Sequence, residues 1–197
     1  MNLNTKISDL LLRENSLVLK KDCKFLISIF EKYKNLAAAE FSYKNKSKKE
    51  EKDNYKCLPL SNLYNHNEEI KKAADVAFKY IEIMINKYMQ HIQKNICKTF
   101  DSTCISTTNT IRLLKYEKDQ YIKDHTDVSS STRASCTLNL NSNYQGGEFR
   151  FFDGKIKHSF NTGDAIIFPA EPIWIHGTEP ITKGSRYAIN CFLNSKT

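Results

Sequence analysis

The stretch Gly146-Gly147-Glu148-Phe149-Arg150-Phe151-Phe152-Asp153-Gly154 carries the period on which the fold is read. A glycine pair opens it, aromatic and polar residues alternate through it, and Asp-Gly closes it. Alternation with period two between turn residues marks a strand with one buried face, because successive side chains leave opposite sides of the backbone. The pattern recurs on both sides. Strands are expected at 110–115, 120–125, 134–140, 148–152, 165–168, 173–176 and 186–192, with further turns at Thr162-Gly163-Asp164 and Lys183-Gly184.

Upstream of Thr107 the period lengthens. Leu17-Val18-Leu19 reads as a short strand, and Asp22 as the N-cap of a helix whose Phe25, Leu26, Ile29, Phe30 and Tyr33 share one face. A longer helix is expected over 68–97, with a stripe of Ile70, Ala73, Ala74, Ala77, Tyr80, Ile81, Met84, Ile85, Tyr88 and Ile92 made to pack on a sheet. Between the two, residues 41–65 are polar, lysine-rich and interrupted by Pro59, and read as a solvated linker. Many short strands after helices predict a mainly β, α+β chain: a sandwich or jelly roll with helices on one outer face. At 197 residues this is one domain, 1–100 giving mostly helical support and the linker, 107–194 the catalytic jelly-roll core.

Composition narrows the functional classes. A hydrophobic fraction of 40% and a charged fraction of 26% are those of an ordinary soluble protein. The start lacks the apolar stretch of a signal peptide, and no apolar run approaches the ~20 residues that span a bilayer, so the expected location is the cytoplasm, without a membrane partner. Six cysteines stand apart with no C-x-x-C pair, which favours free thiols over a disulfide framework or a cysteine zinc site. The net charge of +8 permits a nucleic-acid partner without demanding one, since much of it lies in the mixed-charge linker. His66, His91 and His158 read as surface residues.

The chemistry sits in His125-Thr126-Asp127, His176 and Arg186. On a strand, residues i and i+2 face one way, so His125 and Asp127 can reach one metal while Thr126 turns away. With His176 brought from a distant strand, two imidazoles and a carboxylate leave three coordination positions open, which suits a non-haem Fe(II) oxygenase. The same three ligands also suit zinc. Arg186 offers a planar guanidinium able to grip the distal carboxylate of a keto acid through two parallel hydrogen bonds.

The wider series Leu113-Leu114-Lys115-Tyr116, His125-Thr126-Asp127, Thr137-Leu138-Asn139-Leu140-Asn141, Tyr144-Gln145-Gly146-Gly147-Glu148-Phe149, Gly163-Asp164-Ala165-Ile166-Ile167-Phe168-Pro169 and His176 through Tyr187 resembles the 2-oxoglutarate and Fe(II)-dependent dioxygenases, in particular the prolyl and lysyl hydroxylase branch. The resemblance covers residues 107–194 closely and 17–34 loosely, and implies a double-stranded β-helix (jelly roll). It implies Fe(II) held by His125, Asp127 and His176, and 2-oxoglutarate held through its 5-carboxylate by Arg186, with ascorbate as an optional reductant. Tyr116 matches a tyrosine that lies near the cosubstrate in relatives. Asn139 stands where some prolyl hydroxylases carry a tyrosine reaching the 5-carboxylate, and Thr137 shares its face. Trp174 is a candidate for the substrate entrance, with packing as the alternative, and Asp164 reads as a turn residue.

The implied activity is hydroxylation of a protein or peptide side chain, prolyl before lysyl, with release of succinate and carbon dioxide. Nucleic-acid oxidative demethylation is a further alternative. Relatives of that kind add an arginine six residues beyond the carboxylate-binding one, where this chain has Phe192. A non-catalytic binding module on the same fold is the reading outside enzymes.

Overall fold

The computed structural model describes residues 6–40, 55–101, 103–105 and 107–195. In chain order these form β1 (Leu12–Glu14), α1 (Lys20–Lys32), β2 (Ala38–Glu40), β3 (Tyr55–Pro59), α2 (Glu68–Asn95), β4 (Thr107–Tyr116), β5 (Thr132–Asn139), β6 (Gln145–Gly146), β7 (Phe149–Phe151), β8 (Ile156–His158), β9 (Ala165–Pro169), β10 (His176–Thr178), β11 (Ile181–Lys183) and β12 (Arg186–Asn194). The strands make a seven-stranded sheet in the order β1-β9-β5-β12-β4-β3-β2, faced by β10-β7-β8 and the short pair β11-β6. Every pairing within these sheets is antiparallel. This is the double-stranded β-helix, with both helices on the outer face of the large sheet.

The two faces of that sheet follow from alternation. Ile111 and Leu113 of β4, Ala134, Cys136 and Leu138 of β5, Ala165 and Ile167 of β9, and Ile189, Cys191 and Leu193 of β12 all join one apolar core with the helices. The α2 stripe fills the other half of that core, with Met89 added and Ile85 only partly buried. The intervening residues therefore face inward. Ile166 and Phe168 meet Phe149, Phe151, Phe160 and Trp174 in a second cluster, and Leu114 and Tyr116 join Tyr55, Cys57 and Ile181 in a third. Each inner cluster closes one side of the barrel around a polar interior.

Several boundaries differ from those expected. Helix α1 begins at Lys20 with Leu19 as N-cap, and Asp22 lies in its first turn, where its Oδ2 accepts from the Tyr80 hydroxyl. Leu17–Leu19 is no strand; the edge strand is β1, since Arg13 can reach the buried Asp164, whose carboxylate also accepts from the Ser16 and Asn161 amides. The expected linker contains a strand: in β3, Cys57 and Leu58 are buried and the segment pairs with β4 despite Pro59 at its end. The remainder of the lysine-rich run, 41–54, lies outside the described residues. No strand forms over 120–125, and the strand expected at 173–176 begins only at His176.

Two glycines mark close approaches of the backbone. Gly146 has φ +77°, and a Cβ there would lie 2.2 Å from the Pro180 carbonyl oxygen. Gly177 lacks a positive φ, so space alone restricts it: a Cβ would fall 2.7 Å from the Ile122 carbonyl oxygen and 2.6 Å from Asp124 Oδ1. Because the Ile122 oxygen is backbone and already accepts from the Thr178 amide, the strand would have to move. Gly177→Ala is therefore expected to cost about 1–3 kcal/mol of stability, the usual range for forcing atoms into a packed site. Chemical denaturation measures it, and an unchanged midpoint would contradict the crowding.

Candidate active site

The backbone brings the two histidines together before their side chains are considered. His125 N donates to His176 O and His176 N to His125 O, both at 2.9 Å, an isolated antiparallel bridge. This reciprocal pair does the work expected of a strand at 120–125: it places the residue before Asp127's neighbour and the first residue of β10 side by side. The imidazoles tilt at 47° with centroids 4.3 Å apart. Asp127 reaches both, Oδ1 lying 3.2 Å from His125 Nε2 and Oδ2 3.3 Å from His176 Nε2. One ligand atom from each of the three residues falls within 4.8 Å of the others, and among the described residues this is the one such group found.

The rings are aimed by their other nitrogens. His125 Nδ1 bonds the Lys123 carbonyl at 2.8 Å and His176 Nδ1 the Trp174 carbonyl at 2.9 Å. A carbonyl accepts only, so each Nδ1 carries a proton and each Nε2 is the atom turned toward the shared centre. Phe149 stacks on His176 at 5.5 Å and 8°, and Phe168 meets it edge-on at 4.7 Å. Ser135, fully buried on β5, donates its hydroxyl to Asp127 Oδ2. The set fits a divalent metal in donor type, spacing and ring orientation.

Electrostatics prepare the same centre. Burial works against the Asp127 carboxylate, but hydrogen bonds from both imidazoles outweigh it and hold its pKa far below the usual range. Burial likewise disfavours protonated His125, yet the hydrogen bond and charge of Asp127 raise its pKa, against a smaller opposing effect of Arg112. Without metal, the Asp127 contribution to stability is present above its unfolded pKa and lost as pH falls through the lower folded value. The His125 contribution is complete below its unfolded pKa and lost as pH rises through the raised folded one. Metal needs neutral His125, so the sign reverses: binding strengthens with rising pH, by up to about tenfold per unit while that imidazole is still protonated. Co(II) titrations between pH 5.5 and 8 measure this, and a pH-independent affinity would exclude His125 from the ligand set.

Arg186 lies at the other end of the interior, 2% exposed. Its Nε donates to Asn139 Oδ1 at 3.0 Å and Nη1 approaches the Gly147 carbonyl at 3.4 Å. The guanidinium lies 5.5 Å from the Tyr116 ring and 5.8 Å from that of Phe160. It forms no ion pair among the described residues, which is unusual for a buried cation and leaves its outer edge suited to an anionic ligand. Tyr116 sits directly opposite Arg186 in the β4–β12 register and stacks on Tyr55 at 5.0 Å.

The inner face of β5 connects the two ends: Ser135 touches Asp127, Thr137 is buried midway, and Asn139 touches Arg186. Asn139 Nδ2 donates to the carbonyls of Asn141 and Asn161 while Oδ1 accepts from Arg186 and from the Tyr144 hydroxyl. Asn139 thus holds the arginine instead of offering a donor to a ligand, a different role from the one its position suggested. Of the two roles open to Trp174 the structure favours packing: it is 2% exposed and set against Phe151, Phe152 and Phe168, the first and last of which also meet His176. His158 is half-buried against Phe151 with Nε2 unbonded, not solvent-facing, and burial followed by the charge of Arg13 lowers its pKa. His66 is exposed, and His91 is partly buried with Nε2 on the Asp9 carbonyl.

Sequence reasoning passed over Ser135, Tyr144 and Arg112. The signal for Ser135 was available, a period-two row of small polar residues in an otherwise apolar strand. Arg112 faces inward opposite Asn190, bonds its Oδ1, and lies 4.7 Å over the Phe192 ring.

Residues 111–194 match the family described as the 2OG-Fe(II) oxygenase superfamily. No curated protein matches the chain by sequence. Among solved structures, a prolyl hydroxylase from Trichoplax adhaerens, in complex with a hypoxia inducible factor oxygen degradation domain peptide fragment, is similar with a TM-score of 0.68 at 12% identity, over 95% of this chain and 84% of that one. A Pseudomonas putida prolyl-4-hydroxylase gives 0.67 at 13%, over 95% and 94%. A viral collagen prolyl hydroxylase from Paramecium Bursaria Chlorella virus-1, in its 2OG complex, gives 0.60 at 14%, over 95% and 97%.

Proposed function

We propose that the chain, whose residues 111–194 match the 2OG-Fe(II) oxygenase superfamily, is an enzyme of that kind using Fe(II) and 2-oxoglutarate, and that it hydroxylates a prolyl side chain in a protein or peptide, releasing succinate and carbon dioxide. His125, Asp127 and His176 would hold the iron. Arg186 would hold the distal carboxylate of 2-oxoglutarate, with Thr137 and Tyr116 lining the space between. Bound iron supplies the redox chemistry that activates dioxygen against an unactivated C–H bond. The chain's own part is orientation: Nε2 of each histidine is fixed by the carbonyl behind its ring, and Asn139 fixes the guanidinium.

The observation carrying the prolyl reading is the apolar, cation-guarded surroundings of the metal ligands. Val128 follows Asp127 and is 49% exposed; Ile175 precedes His176 and is 41% exposed; Ile173 is 61% exposed. Exposed aliphatic side chains flanking the ligands suit a pyrrolidine ring. A lysyl ammonium would need an acidic partner, yet Asp124 and Glu179 already pair with Arg150, and the positive charge of Arg112 reaches His125. Similarity in fold to three prolyl hydroxylases supports the same choice.

The test is succinate release by the Fe(II)-loaded protein with proline- and lysine-containing peptides, followed by mass spectrometry. Turnover stimulated by the proline peptides, with gain of one oxygen on proline, is the expected result. Oxygen on lysine, or turnover only with methylated nucleic acid, would replace the substrate assignment.

A further inference from the structure

We infer that Tyr144 is the second donor to the distal carboxylate of 2-oxoglutarate, acting beside Arg186 where Asn139 cannot. The inference rests on the cosubstrate assignment and not on which side chain is hydroxylated. Its first support is the complete engagement of Asn139. Both amide protons go to backbone carbonyls and the oxygen accepts from two donors, so flipping the amide would set its NH2 against the Arg186 Nε–H and its oxygen against the Asn141 and Asn161 carbonyls. No proton on Asn139 is available for a ligand.

Tyr144 is differently placed. Its hydroxyl lies 3.2 Å from the same Asn139 oxygen that Arg186 Nε contacts at 3.0 Å, so phenol and guanidinium adjoin. The ring is partly buried against the cluster that holds Tyr116 and Ile181. Gly147 lies beside the Tyr144 ring, at ordinary contact distance, and its carbonyl faces Arg186 Nη1.

A phenol proton turns about one bond. When it leaves Asn139 Oδ1 for a carboxylate, that oxygen keeps the Arg186 Nε–H, so no buried acceptor is orphaned. A long neutral hydrogen bond is exchanged for a charge-assisted one. The same donor does nothing for a keto acid that lacks the distal carboxylate, so Tyr144 also contributes to cosubstrate selection.

Anaerobic calorimetry of 2-oxoglutarate and 2-oxopentanoate binding to the Fe(II)-loaded protein tests this, without peptide and so independently of the prolyl reading. Tyr144→Phe is expected to weaken 2-oxoglutarate about tenfold and to leave 2-oxopentanoate unchanged. Undiminished 2-oxoglutarate affinity, or equal loss for both acids, would overturn the inference. A second measurement needs no loss of the hydroxyl: 3-fluorotyrosine at position 144 should show a fluorine resonance that moves with 2-oxoglutarate and not with 2-oxopentanoate. A resonance indifferent to both, or moved equally by both, would also overturn it.

Discussion

Asp127→Ala is expected to lower Fe(II) affinity by more than about a hundredfold and to abolish turnover. Changes to groups that only support metal ligands cost about 10–100-fold, and Asp127 supplies the one carboxylate of the three-residue group. Its loss removes more than one contact. Both imidazole Nε2 atoms lie within 3.3 Å of its oxygens, and Ser135 donates to it. Ser135→Ala should reproduce a small part of the effect, about tenfold in affinity, because the carboxylate stays and only its orientation loosens. Equilibrium dialysis with Co(II), together with the visible spectrum of the bound ion, separates the two. An Asp127→Ala protein that retains the wild-type spectrum and affinity would remove this centre from consideration.

What the sequence conveyed about this centre depended on how local each relation was. His125 and Asp127 are two residues apart, and a short backbone relation is enough to put them together. The side chains converge although the strand assumed for them does not form; the His125–His176 bridge stands in its place. Arg186 was legible because β12 is regular, and alternation along it separates the helix-facing Ile189, Cys191 and Leu193 from the inward Arg186 and Asn190. At Trp174 alternation gave the side it shares with His176, both meeting Phe151 and Phe168, but not its depth, since burial there depends on the surrounding aromatic cluster. It was misleading in a subtler way at Asn139: the side chain does face the interior, but its hydrogen bonds go to Asn141, Asn161 and Tyr144, partners that only the folded loops bring near. Strand β3 escaped notice because Lys56 and Pro59 resemble the polar run before them, whereas Cys57 and Leu58 are what the sheet buries. Spacing along one element predicts a face; it does not predict who occupies the opposite side.

Arg186→Met should give changes of opposite sign in cosubstrate binding and stability. Methionine keeps much of the arginine's length and volume while removing the charge. Loss of a charge-assisted grip on the distal carboxylate is expected to cost about 3 kcal/mol or more, upward of a hundredfold in 2-oxoglutarate affinity, with 2-oxopentanoate hardly affected. The fold should not suffer in proportion. A guanidinium that is 2% exposed with no ion pair among the described residues carries a desolvation cost that only Asn139, the long contact to Gly147 and two aromatic rings offset. Replacing buried charge by an apolar group of similar size is commonly neutral or stabilising by about 1–4 kcal/mol. The Asn139 oxygen would still accept from Tyr144, and the loss is confined to the long contact with the Gly147 carbonyl. Differential scanning calorimetry of the metal-free protein should therefore show an unchanged or higher Tm, by roughly 2–4 °C for each kcal/mol gained. A fall of many degrees would mean that Arg186 is held in place chiefly for packing. A stable variant that has lost the diacid and kept the monoacid would mean that the fold carries an unpaired buried charge because its partner arrives with the cosubstrate.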